Sequence, residues 1–228
     1  AGIAVFIRFI QIPFGDLTIH WQTILIFISL ASMILGAVAA IGQVNLKRLI
    51  AYSSIGHMGY ALAGVATGTV SGYSYTILYI SIYVVMNIGI FGCLFLMKKD
   101  GKYCQDIKDL SGISKAHPLI SISLLIILFS LAGIPPFAGF FAKFYIFLAV
   151  IENEMYTLAI IGLLSTVISA FYYLKIIKTI YFDEIQKPFD EIKNLSISGS
   201  IIISCFILSL FFLYPAILNN VLGNLIIN

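Results

Sequence analysis

The sequence predicts an all-α fold, a polytopic bundle of about seven transmembrane helices with one helix discontinuous inside the membrane. Three observations carry this. The 228 residues are 61% hydrophobic and only 10% charged, against about 25% charged in a soluble domain. Several apolar runs reach the roughly 20 residues that a membrane helix needs. Lys and Arg concentrate in alternate connections along the chain. The period-two alternation of an outer-membrane barrel is missing.

Hydropathy places the segments at 1–13, 21–42, 47–67, 73–97, 118–150, 155–178 and 195–218. The chain opens AGIAVFIRFIQI, without a methionine and already inside an apolar run. Twelve residues rise about 18 Å, too short to span. The first segment therefore reads as a partial helix and the chain as a fragment. Two loops are long and charged: KKDGKYCQDIKDLSGISKAHP (98–118) and the stretch around DEIQKPFDEIKN (183–194).

Seven crossings put alternate loops on opposite faces. One face receives Lys47, Arg48, Lys98, Lys99, Lys102, Lys108, Lys115, Lys175, Lys178, Lys187 and Lys193, which is 11 of the 13 Lys and Arg. The opposite loops hold Asp16, Glu152 and Glu154. The positive-inside rule makes the basic face cytoplasmic, with the N-terminal end inside and the C-terminus outside. A net charge of +3, placed mostly in loops at one face, is not a nucleic-acid signature. Cys93, Cys104 and Cys205 form no C-x-x-C pair, which argues against an iron–sulfur or zinc site and gives no disulfide framework.

Segment 118–150 is too long for one crossing. A straight helix of that length runs about 50 Å, against a hydrocarbon core of about 30 Å. Pro135 and Pro136 lack N–H groups and push the preceding residue out of helical geometry. Gly133 and Gly139 loosen the backbone on either side. The spacing predicts two half-helices, 118–132 and 137–150, joined by unwound chain. Irregular backbone at membrane depth survives only when buried in protein or lining a wet cavity, and transporters build ion sites there.

Lys143 lies two turns beyond the break. A lysine at the centre of a membrane helix costs roughly 2.5–3.5 kcal/mol on insertion scales. Two readings stand open: a functional charge able to load and release a proton, or a side chain that snorkels to the surface.

The third segment carries a polar stripe. In QVNLKRLIAYSSIGHMGYALAGVATG (43–68), Ser53, His57, Tyr60 and Gly64 share one helix face. His57 falls near mid-membrane and is a natural proton relay. Ser53, Ser54 and Tyr60 are candidates to bond it or to line a channel. The alternative is interhelical packing through small and polar residues. Lys47 and Arg48 open this segment, either as topology signals or with Lys47 turned inward to feed a channel. Ser81 and Asn87 read as packing residues, and Tyr172 and Tyr173 as interfacial or channel-lining. Arg8 calls for a carboxylate partner that the sequence does not identify.

QVNLKRLIAYSSIGHMGY and LFSLAGIPPFAGFFAKFYIF resemble the antiporter-like membrane subunits of proton-pumping NADH–quinone oxidoreductase, respiratory complex I. VISAFYYLKIIKTIYF (167–182) is similar to the same family, and the similarity covers nearly the whole chain. AGIPPFAGFFAKFY favours the subunit N branch, and Lys143 stands where the subunit M branch has glutamate. The resemblance implies that the chain is one membrane domain, 1–228, matching the C-terminal half of a longer subunit. Residues 1–13 would be a partial helix, 21–178 the second of two inverted five-helix repeats, and 195–218 a terminal helix. It implies proton transfer by Lys143 on the broken helix and by His57 of the Ser54, His57, Gly59, Tyr60 pattern, with a lesser role for Lys47. The glutamate and two lysines of the family's first half are absent.

The resemblance further implies an enzyme subunit without redox chemistry of its own. NADH, FMN, iron–sulfur clusters and quinone would belong to partner subunits of the membrane and peripheral arms, in a bacterial inner membrane or an organellar one. Two other classes remain: an Mrp-type cation/proton antiporter subunit, and a structural membrane-assembly fragment. A quinone-site enzyme is disfavoured, since no acidic or histidine cluster marks a quinone pocket.

Overall fold

Helix α4 (Val70–Leu96) runs through the middle of the bundle and touches α1 (Gly2–Gln11), α3 (Leu46–Ala66), α5 (Pro118–Ala132), α6 (Ala138–Glu152) and α8 (Leu195–Leu213). Helices α2 (Thr18–Ile41) and α7 (Tyr156–Phe182) complete the set. The structure is a computed structural model that describes residues 2–184, 189–190 and 194–213. Lys187, Lys193 and the C-terminal end assigned to the outside lie beyond the described residues.

The outer surface is apolar where a soluble protein would be polar. Ile19, Ile24, Phe27, Leu35 and Val38 of α2 face outward, as do Ile160, Leu164, Val167 and Phe171 of α7. By length and composition, α2, α4 and α7 can each cross a membrane. Interior contacts rely on close backbone approach. A Cβ on Gly36 would collide with the Gly56 backbone, so α2 and α3 meet there with no side chain between them.

Helix starts follow local chemistry. Asn45 Oδ1 accepts from the Arg48 N–H at 3.1 Å and caps α3. Thr69 Oγ1 accepts from the Gly72 N–H at 3.2 Å and caps α4, which starts three residues before the hydropathy boundary. Helix α5 has Pro118 in its first turn, where a missing N–H costs nothing. Helix α7 extends to Phe182, beyond the predicted end at 178, because Lys175 and Lys178 stand on its exposed side.

The stretch 98–118 differs from its reading as a loop. Strands β1 (Lys98–Lys99) and β2 (Lys102–Tyr103) form a hairpin, followed by a 3-10 turn at Ile107–Leu110. Asp100 and Gly101 both take positive φ, 51° and 75°, as the favoured two-residue hairpin turn requires. The hairpin escaped the hydropathy reading because KKDGKY has no apolar alternation.

The basic connections do gather at one end. The Leu46 N–H donates to the Gln105 carbonyl (2.7 Å), and the Ile107 N–H to that of Val44 (3.0 Å). The Asp190 N–H donates to the Lys98 carbonyl (2.8 Å). Three separate loops are thereby stitched together. At the far end, Gln22 Nε2 donates to the Ala66 carbonyl at 2.9 Å, tying the start of α2 to the α3–α4 turn.

Candidate functional site

The break falls where the prolines and glycines place it. Helix α5 ends at Ala132 and α6 begins at Ala138, within a residue of the expected half-helix ends on either side of the break. Gly133 caps α5 in the left-handed region, φ 79°. The Gly133 N–H bonds the Phe129 and Ser130 carbonyls, and the Ile134 N–H returns to Phe129 at 3.0 Å. This leaves the Leu131 and Ala132 carbonyls without backbone donors, inside a protein that must satisfy them.

Lys143 satisfies both. Its Nζ donates to the Leu131 carbonyl at 3.0 Å and to that of Ala132 at 3.2 Å. The side chain is 5% exposed, so the snorkelling alternative does not describe this structure. The cation sits at the negative end of the α5 dipole, where positive charge is favoured. Among the described residues no carboxylate pairs with it. Nζ also lies over the Tyr60 ring, 5.1 Å from its centroid.

His57 occupies a second buried polar group, 3% exposed. Its Nδ1 lies 2.6 Å from Tyr79 Oη and its Nε2 3.2 Å from Tyr173 Oη. The Tyr173 and Ser53 hydroxyls are hydrogen-bonded in turn. Tyr83 stacks on the imidazole at 4.7 Å, and Tyr60 meets it edge-on at 6.1 Å. A neutral imidazole donates with one nitrogen and accepts with the other, and each hydroxyl can do either. Both tautomers of His57 are therefore satisfied in place.

The structure thus brings together Lys143, His57, Tyr60 and Ser53. Ser54 is not part of the cluster, since its hydroxyl donates to the Ile50 carbonyl of its own helix at 2.9 Å. Lys47 is not turned inward. It is exposed on the first turn of α3, with its Nζ 5.6 Å from the Tyr103 ring centroid. A long cation at the end of a membrane helix reaches water more cheaply than the core. Pro135 and Pro136 lie in the unwound link, and Gly133 lies directly against Lys143. Ser81 and Asn87 bond carbonyls of their own helix.

Tyr172 and Tyr173 are buried within the bundle rather than interfacial. Tyr79, Tyr83 and Thr166 were not singled out from the sequence. The available signal was the spacing of Thr76, Tyr79 and Tyr83, which puts three hydroxyls on one face of α4. Thr166 had no such pattern.

Apolar-faced helices around a half-helix break and a buried cation define a polytopic membrane protein of the antiporter-like class. Residues 1–169 match the family described as NADH:quinone oxidoreductase/Mrp antiporter, TM, and the chain belongs to that family. The NADH-quinone oxidoreductase subunit N of Pelagibacter ubique is 62% identical over 95% of this chain and 46% of its own length. A chain of respiratory complex I from Thermus thermophilus with bound aureothin superposes with a TM-score of 0.73 at 26% identity, over 85% of this chain and 44% of that one. A chain of the Mrp complex from Dietzia reaches 0.81 at 19% identity, over 98% of this chain and 50% of that one, a likeness of fold alone. The chain spans about half the length of the curated relatives it matches.

Proposed function

We propose that this chain is part of a proton-translocating membrane-arm subunit of NADH–quinone oxidoreductase. The observation that carries the reading is the buried Lys143, whose Nζ is held by helix-end carbonyls and which pairs with no carboxylate among the described residues. Lys143 loads and releases a proton. His57 relays it through the Tyr79 and Tyr173 hydroxyls, and Ser53 extends that chain of hydroxyls. Lys47, at the basic end of the same helix, stands where protons are taken in or given up.

Residues 21–178 form the second of two inverted repeats, and seven crossings leave the basic loops in the cytoplasm. The setting is a bacterial inner membrane. Electron transfer from NADH through FMN and iron–sulfur clusters to quinone belongs to partner subunits, and their energy drives the change in hydration and pairing around Lys143. The 62% identity to a subunit N supports this reading over a cation/proton antiporter. Sodium-dependent transport in membranes lacking NADH oxidation would reverse that preference.

The test is NADH-driven proton uptake in sealed inverted membrane vesicles, comparing the native protein with Lys143→Ala and Lys143→Arg in assembled complex. Alanine is expected to lower oxidation and pumping together, with arginine retaining more. Unchanged pumping and turnover in the alanine variant would refute the reading.

A further inference from the structure

The Lys143 group and the His57 group share one side chain. The Tyr60 ring lies against the Lys143 ammonium and meets the His57 imidazole edge-on. It is 2% exposed and also meets Phe147 edge-on at 5.9 Å. What faces each proton-carrying group is thus a ring face or ring edge, neither of which can accept and pass on a proton. The other acceptors of Lys143 are the Leu131 and Ala132 carbonyls, which hold a cation but do not relay a proton. His57, in turn, has both nitrogens engaged by Tyr79 and Tyr173. No side-chain hydrogen bond among the described residues links the two groups, while the Tyr60 ring touches both.

The hydroxyl of Tyr60 has a side-chain partner on α7. The Thr166 hydroxyl donates to Tyr60 Oη at 3.0 Å, with the Gly162 carbonyl of its own helix as an alternative acceptor at 3.1 Å. The ring is therefore pinned at its far end by a helix to which neither Lys143 nor His57 belongs. A buried tyrosine hydroxyl seeks partners, and here both lie on α7, Thr166 as the larger and Ser169 as the smaller.

We propose that Thr166 is a positioning residue: by holding the Tyr60 hydroxyl it keeps the Tyr60 ring between the lysine and histidine halves of the path, and so limits unpumped proton passage. The proposal rests on the proton-relay reading above. Movement of α7 relative to α3 would release the ring, which makes Thr166 the point where a shift between helices reaches the proton path.

The experiment uses the assembled complex in sealed vesicles. It records passive proton leak without NADH and protons moved per NADH oxidised. Thr166→Val keeps the side-chain shape and removes the hydroxyl. It is expected to raise the leak about fivefold, the scale of one neutral hydrogen bond, and to lower protons per NADH. Thr166→Ser restores both. Tyr60→Phe, which keeps the ring and loses the latch, reproduces the valine phenotype, and adding Thr166→Val to it changes nothing further. A native leak and ratio in Thr166→Val overturns the proposal. So does a serine variant that fails to restore them, or a double variant worse than Tyr60→Phe alone. Should the valine variant fail to assemble, the Tyr60→Phe leak decides alone, a native value overturning the proposal. Lys143→Ala, run alongside, separates the two failures. If it pumps normally, the relay reading is wrong; if it is impaired while Thr166→Val is native, only the latch is wrong.

Discussion

A Cβ placed on Gly133 would stand 2.9 Å from Cδ of Lys143 and 3.3 Å from its Nζ. The glycine that ends α5 therefore also leaves the room in which the lysine of α6 lies. Backbone conformation and ligand space converge on one residue, because its φ of 79° also disfavours any side chain.

Gly133→Ala is accordingly expected to cost about 1–2 kcal/mol in backbone strain and to displace the ammonium from the Leu131 and Ala132 carbonyls. The temperature of thermal inactivation of the assembled complex and the rate of NADH-driven pumping should both fall. Native values of both would show that the left-handed cap and the tight contact do not matter.

Ser130 ties the two half-helices from the other side. Its Oγ accepts from the Gly139 N–H at 3.0 Å, and a Cβ on Gly139 would collide with the Ser130 carbonyl. Gly139 and Lys143 are four residues apart on one face, so this contact sets how closely Lys143 approaches α5. Ser130→Ala leaves a buried N–H unpaired, a loss of about 1–3 kcal/mol. The check is thermal stability of the purified complex, where an unchanged midpoint would count against the Ser130–Gly139 tie.

Removing one hydroxyl from His57 leaves a buried ring nitrogen without its partner. Tyr79→Phe and Tyr173→Phe should each slow pumping by about tenfold, within the range of one unsatisfied buried group. The two together should add little, since both act through one imidazole. Initial rates of proton uptake decide this, and fully additive losses would mean that the tyrosines act separately.

Cys104 gives a prediction outside the membrane helices. It is buried at the foot of the hairpin, its N–H bonded to the Met97 carbonyl, and burial, with the Asp109 carboxylate adding to it, pushes its thiol up to about 11. Only the thiolate alkylates readily, so at pH 8 the folded protein should resist maleimide at this position and react after denaturation. Labelling should rise as pH approaches about 11. Rapid labelling of Cys104 at pH 8 in the folded complex would show that the loops are not packed as described.

Much of this arrangement was legible in the sequence for a definite reason. Hydrophobic length and proline position act locally, so the helix series and the break after Gly133 could be read from neighbouring residues. Backbone hydrogen bonds join the connections before α3, after α4 and after α7, so these three loops meet in space. The hairpin at Lys98–Tyr103 was written in its Asp-Gly turn but hidden by charge on the flanking residues. For Lys47 the sequence left two orientations open, and the structure holds it exposed beside Tyr103.

The sequence by itself determined a membrane bundle, a broken helix, and the presence of Lys143 and His57 within it. Those features follow from the length, periodicity and backbone chemistry of contiguous residues. Only the tertiary structure decided their partners. Leu131 and Ala132 reach Lys143 across the break, Tyr79 reaches His57 from α4, and Tyr173 and Thr166 reach the cluster from α7, more than 100 residues along the chain from α3. A hydroxyl on an apolar helix has the same local signature whether it faces its own carbonyl, as Ser54 does, or another helix, as Ser53 does. Which of these it does is settled by packing, because the bond forms only where a neighbouring helix supplies the matching atom.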